Sequence, residues 1–159
     1  MSTLYVDNLE PNLGSRVLAA GHVVQVVQGT NSSEAISSAS SYTDTGLSAT
    51  ITPSSTSSKI MVFVSMSSSG VLQNAGYDAR GFYGINRDGS MIYECYIRSY
   101  DYGNSGSIMF APFEMSYLDS PSTTSAVTYK LQQLITVGHS IRVSTDNYPI
   151  HMQLMEIAQ

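Results

Sequence analysis

The chain has 159 residues, the size of one ordinary domain, and 42% of them are hydrophobic, enough for a real core. Its net charge is −5 and its seven Lys and Arg are scattered, so the clustered basic footprint that a phosphate backbone requires is missing. No segment approaches the roughly eighteen continuous apolar residues of a membrane span, so neither nucleic acid nor a membrane is an expected partner.

Charged residues make up only 12% of the chain, about half the usual share, and Ser and Thr are abundant. With eleven Tyr and no Trp, this polar but uncharged composition suits a β-rich, assembly-prone protein better than a helical enzyme.

Residues 1–21, "MSTLYVDNLEPNLGSRVLAAG", read as an extended N-terminal arm. Pro11, Gly14 and Gly21 break any regular period. The stretch has neither a basic start nor an apolar run, so it does not read as a signal peptide, and synthesis in a reducing cytoplasm is expected. Leu4, Tyr5, Val6, Leu9 and Leu13 are its predicted contacts with another surface: its own domain, a sister subunit or a different protein.

From residue 22 to 159 helical periodicity is nearly absent and turn signals recur at short intervals, the pattern of a β-sandwich or barrel. Strands are predicted near His22–Gly29, Leu47–Thr52, Lys59–Met66, Arg80–Arg87, Met91–Arg98, Ile108–Leu118, Ala126–Leu134, His139–Ser144 and Ile150–Ile157. Asp88-Gly89, within "NRDGSM", supplies the positive φ that a tight hairpin needs. Pro112 falls inside a predicted strand, which must be edged, bulged or split there. The whole fits an all-β, jelly-roll-like antiparallel sandwich of two packed sheets.

Two strands are apolar on both faces. "KIMVFVSM" sets Ile60, Val62, Val64 and Met66 against Met61 and Phe63. "IHMQLMEIA" sets Ile150, Met152 and Leu154 against Met155 and Ile157. A single sandwich needs one polar face. Met61, Phe63, Met155 and Ile157 are therefore candidate subunit contacts, with core packing under a long loop as the other reading.

Sites for chemistry are not evident. His22, His139 and His151 lack partners at metal-ligand spacing. No G-x-S-x-G elbow anchors a serine nucleophile. Glu114 and Asp119 lie an odd number of residues apart, so a continuous strand aims them at opposite faces. Cys95 stands alone, excluding an intrachain disulfide, and reads as a small buried apolar residue. No catalytic residue, metal or cofactor is expected. Asn31-Ser32-Ser33 has the form of a glycosylation sequon and is expected to stay bare without a signal peptide. "TPSSTSS" reads as a loop whose hydroxyls order their own backbone. Tyr96, Tyr100 and Tyr102 form a candidate recognition loop, because Tyr gives flat amphipathic contact area at low entropy cost; covering a barrel end is the plainer reading.

Three stretches carry a resemblance. "DTGLSATITPSSTSSKIMV" (44–62), "SYLDSPSTTSAVTYKLQ" (116–132) and the start "MSTLYVDNLEP" resemble a group of virion structural proteins of tailed phages, especially those of cyanobacteria and marine bacteria. Members are described as tail-fibre-like or head-decoration proteins. The resemblance spans about residue 22 to the end, with the N-terminal signature added. It implies a non-enzymatic β-sandwich virion protein, made in the host cytoplasm and forming a homotrimer. Its implied partners are copies of itself and the major capsid protein or, for a short tail fibre or receptor-binding tip, tail proteins and a host surface glycan or protein. Members often carry a repetitive stalk before "GHVVQV"; here Gly14 leads to Gly21 almost at once, which favours a knob with an arm over a fibre.

Overall fold

Alternation of buried and exposed side chains organises the molecule. The computed structural model describes residues 20–72, 78–100 and 108–159, which form ten strands. They are β1 (Val23–Asn31), β2 (Ala35–Ser37), β3 (Thr43–Ile51), β4 (Lys59–Leu72), β5 (Asp78–Arg87), β6 (Ser90–Tyr100), β7 (Ile108–Asp119), β8 (Val127–Val137), β9 (Ser140–Val143) and β10 (Ile150–Ile157). All their pairings are antiparallel. The larger sheet has the order β1-β10-β4-β9-β2, with β7 along the other edge of β4. The smaller sheet has the order β3-β8-β5-β6. Strands β1-β10-β4-β7 over β3-β8-β5-β6 give the double-Greek-key order of a jelly roll, as the sequence pattern predicts.

The core lies between the sheets. Ile60, Val62, Val64 and Met66 of β4 and Ile150, Met152 and Leu154 of β10 are fully buried, and meet Leu47, Ile51, Tyr83, Ile85 and Leu131 of the smaller sheet. Each such side chain contributes roughly 1.5–3 kcal/mol relative to exposure. The Asp88-Gly89 hairpin has positive φ at both positions (46° and 92°), so its twist matches the strands it joins.

The structure adds two features. β2 is a strand of three residues that composition does not announce, and β4 continues beyond Met66 through a serine run to Leu72. That continuation holds because β4 changes partner: Lys59–Met66 pair with β10, and Ser69–Leu72 with β9. On its other edge the register shifts between Met66 and Ser69, where Pro112 lies between Ala111 and Phe113. Pro112 thus occupies an edge strand opposite an irregularity, where its missing N–H costs no ladder bond.

The predicted arm lies outside the described residues except Ala20 and Gly21. Gly21 already belongs to the ladder: its N–H donates to Ala158 O at 2.8 Å, and Ala158 N–H donates to His22 O at 2.9 Å.

Candidate interaction faces

The outward face of the larger sheet carries a row of apolar side chains in register. Val26 (β1) stands opposite Met155 (β10), Met155 opposite Met61 (β4), and Met61 opposite Leu118 (β7). Val26 is 56% exposed and Leu118 42% exposed. Phe63 and Ile157 flank the row, so all four predicted subunit contacts share one face. The structure adds Val26 and Leu118. "VVQVVQ" does not reveal which valine turns outward, and Leu118 joins the set only once β7 pairs with β4.

Beside that row lies a depression of about 380 Å³ lined by Gln28, Phe63, Ser65, His151 and Gln153. A polar chain crosses its rim. Gln153 Nε2 donates to Gln28 Oε1 at 3.4 Å, and Thr30 Oγ1 bonds His151 Nδ1 at 3.1 Å. Lys59 and Glu114, the charged residues of β4 and β7 on this face, stand towards its opposite ends.

The outward face of the smaller sheet is aromatic and charged. Phe82 (β5) lies between Leu134 (β8) and Tyr96 (β6), and its ring centroid is 5.2 Å from that of Tyr96. Tyr96 (48% exposed) and Tyr100 (53% exposed) stand four residues apart on the same side of β6. Arg98 lies between them, its guanidinium 5.4 Å from the Tyr100 ring centroid. The structure therefore brings Tyr96 and Tyr100 together on a strand rather than a loop; Tyr102 lies outside the described residues. Tyr93 turns the other way and stacks on Tyr117 of the larger sheet, centroids 5.3 Å apart.

Buried polar groups tie one end of the sandwich. Glu156 and Asp119 both pair with Ile60, on either side of it, and so share one inward row. Arg87 Nη1 donates to both oxygens of Asp119 at 2.8 Å, and Tyr129 O–H donates to Asp119 Oδ2 at 2.7 Å. The acid comes from the larger sheet and both donors from the smaller. Burial, and then the bond to Asp119, push the Tyr129 phenol well above its usual range. Glu156 is fully buried. It accepts from Ser54 N–H at 2.7 Å, Ser54 Oγ at 2.6 Å and Gln25 Nε2 at 2.6 Å. Burial alone would raise its carboxyl; the hydrogen bonds from Ser54, Gln25 and Ser58 outweigh this and hold it below its ordinary 4.5. The "TPSSTSS" loop does order itself, through Ser57 N–H to Ser55 Oγ and Ser58 N–H to Ser55 O, both 3.2 Å. Its further role, unread from sequence, is to satisfy a buried acid.

The remaining candidates are dispersed. His22 and His139 are exposed, and His151 is half-buried. Among the described residues no group of three or more His, Cys, Asp or Glu is placed to hold a metal ion. Cys95 is half-buried rather than buried, and burial pushes its thiol upward, away from reactivity. Glu114 is exposed while Asp119 is buried, on opposite faces as the spacing predicts. The Asn31 amide donates to Thr45 O (2.9 Å) and Ser33 O (3.1 Å) and accepts from Ser33 N–H (3.0 Å), so it is occupied in holding a turn. Leu4, Tyr5, Val6, Leu9 and Leu13 lie outside the described residues.

No family model matches this sequence, and no curated protein does. Among solved structures, the chain is similar to dimeric latent PorU from Porphyromonas gingivalis, with 11% identity and a TM-score of 0.41. The match covers 88% of this chain and 14% of the PorU chain, and at that level carries no argument about function.

Proposed function

We propose that this chain is a non-enzymatic structural protein of a tailed-phage virion, a decoration or cement knob that binds the outer capsid as a homotrimer and stabilises the head. The observation that carries this reading is the in-register apolar row Val26–Met155–Met61–Leu118. A contiguous apolar stripe across four strands is costly to leave in water, and a sister copy is the simplest cover for a self-assembling virion protein. The knob supplies trimer contacts, and the arm, through Leu4, Tyr5, Val6, Leu9 and Leu13, reaches across the major capsid protein. Several modest arm contacts on one trimer then act together.

A protein that binds the assembled shell and not its dissociated subunits stabilises the shell by mass action, by about 2.7 kcal/mol per site at a hundred times Kd. The test heats particles with and without this protein and measures host adsorption in parallel. Heads that burst at a lower temperature without it, with adsorption unchanged, support the reading. Lost adsorption with unchanged head stability overturns it.

A second reading rests on its own observation, the exposed Tyr96–Arg98–Tyr100 strip on the opposite sheet. With the larger sheet turned towards sister subunits, this strip faces outward, as in a short tail fibre or receptor-binding tip. Copy number per virion separates the two: hundreds for the head, a few to a few dozen for the tail.

A further inference from the structure

We infer that the outward face of β6 is a binding site for an acidic saccharide. The inference stands on that face alone and holds whether the knob sits on a head or a tail. Glu94, Tyr96, Arg98 and Tyr100 alternate along one side of β6, each exposed. The two rings are four residues apart, about 13 Å along a strand, so one extended oligosaccharide spans both.

Each group is held before any ligand arrives. The Tyr96 ring is backed by Phe82, leaving its other side for a ligand. A pyranose offers a face of C–H bonds to such a ring and a rim of hydroxyls to its polar neighbours. Glu94 Oε1 accepts from Tyr42 O–H at 2.6 Å, which fixes the carboxylate and leaves Oε2 for a sugar hydroxyl. Tyr42 can reach that far because Gly84 lies beneath it: a Cβ there would come within 2.5 Å of Met91 Sδ and 3.0 Å of the Tyr42 ring. β6 is the last strand of its sheet, and an open depression of about 420 Å³ along this edge, lined by Met91, Ile92, Tyr93 and Glu94, meets the strip at Glu94.

Charge selects the class of sugar. Arg80 and Arg98 both pair with the single carboxylate of Asp78, and their side chains remain 44% and 46% exposed. Two cations on one anion leave a net positive charge with unused guanidinium N–H groups. Asp78 already takes the Nε and Nη2 groups of both guanidiniums, so it is their Nη1 groups that face a ligand carboxylate. The order acid, ring, guanidinium, ring therefore matches hydroxyls at one end of the ligand and a carboxylate towards the other.

The experiment titrates the full-length protein with a panel of tetrasaccharides carrying hexuronate or sialic acid, with their carboxyl-reduced forms, and with a poly-glutamate peptide. At least one acidic member should bind, and reducing its carboxyl should weaken binding about tenfold or more, the loss expected when a charged contact is removed. Tyr96→Ala should weaken it comparably while Tyr96→Phe retains it, and Arg98→Gln should remove the preference for the acid over the reduced form. Melting temperature should fall by no more than about 2–4 °C, the loss of one exposed contact, and oligomeric mass should stay unchanged in all three variants. Absence of binding across the panel overturns the inference. So does equal binding of acidic and reduced forms, or poly-glutamate binding as tightly as any sugar, which would make the strip a peptide site.

Discussion

Removing the Asp119 carboxylate tests whether the buried cluster at one end of the sandwich holds the two sheets together. Asp119→Ala leaves the Arg87 guanidinium and the Tyr129 hydroxyl without their acceptor. The Asp119 side chain is only 7% exposed and that of Arg87 29%, so water compensates little. Breaking a buried pair by deleting one partner costs about 3–5 kcal/mol, much of it the desolvated charge left behind. For a domain of this size each kcal/mol lowers Tm by about 2–4 °C, so the melting temperature should fall by roughly 6–20 °C. Asp119→Asn keeps an acceptor for Tyr129 and should fall between the variant and the wild type. The internal control is Asp44→Ala. Its partner Lys130 is 46% exposed and Asp44 itself 49% exposed, so the change should cost at most about 1 kcal/mol. Urea unfolding followed by circular dichroism gives all three values. Equal, small losses for Asp119→Ala and Asp44→Ala would refute the assignment of inter-sheet stability to this cluster.

Met61→Glu places a charge in the middle of the apolar row and should dissociate the proposed trimer to a folded 17.2 kDa monomer in light scattering; a wild-type protein that is already a clean monomer contradicts the trimer. Because the Glu156 carboxyl is depressed in the fold, its stabilisation is present above its ordinary value of 4.5 and is lost as pH falls through the depressed value. Glu156→Gln should therefore lower stability at neutral pH and flatten the acid limb of the stability–pH curve, read by urea titration at successive pH values. Gly29→Ala should cost at least about 1–3 kcal/mol, since a Cβ at Gly29 would overlap the Ser48 carbonyl oxygen and one strand would have to shift; thermal melting reads the loss. On the proposed cement role, deleting residues 1–19 should leave a soluble, folded knob that does not attach to particles while the full chain does, measured by co-sedimentation.

Strand periodicity is a local property, and the sequence alone determined what depends on it. Ile60, Val62, Val64 and Met66 alternate with Met61 and Phe63 because a pleated strand turns successive side chains to opposite faces, whatever it packs against. Asp88-Gly89 sets its own hairpin for the same reason, since positive φ is a preference of those two residues. The four predicted subunit contacts follow from that alternation and share a face in the structure. Tertiary structure decided what depends on register between distant segments. Val26 and Leu118 become neighbours of the methionines only once β1, β10, β4 and β7 align. The serine run after Met66 becomes strand because β9 on one edge and β7 on the other supply its ladder, and β2 pairs with the far edge of β9. Ser54 and Glu156 are 102 residues apart, and Arg87 and Asp119 are 32 apart. Nothing in either segment marks its partner, because a hydrogen bond leaves no trace in local propensity; only the folding of two sheets onto one core brings those groups within reach.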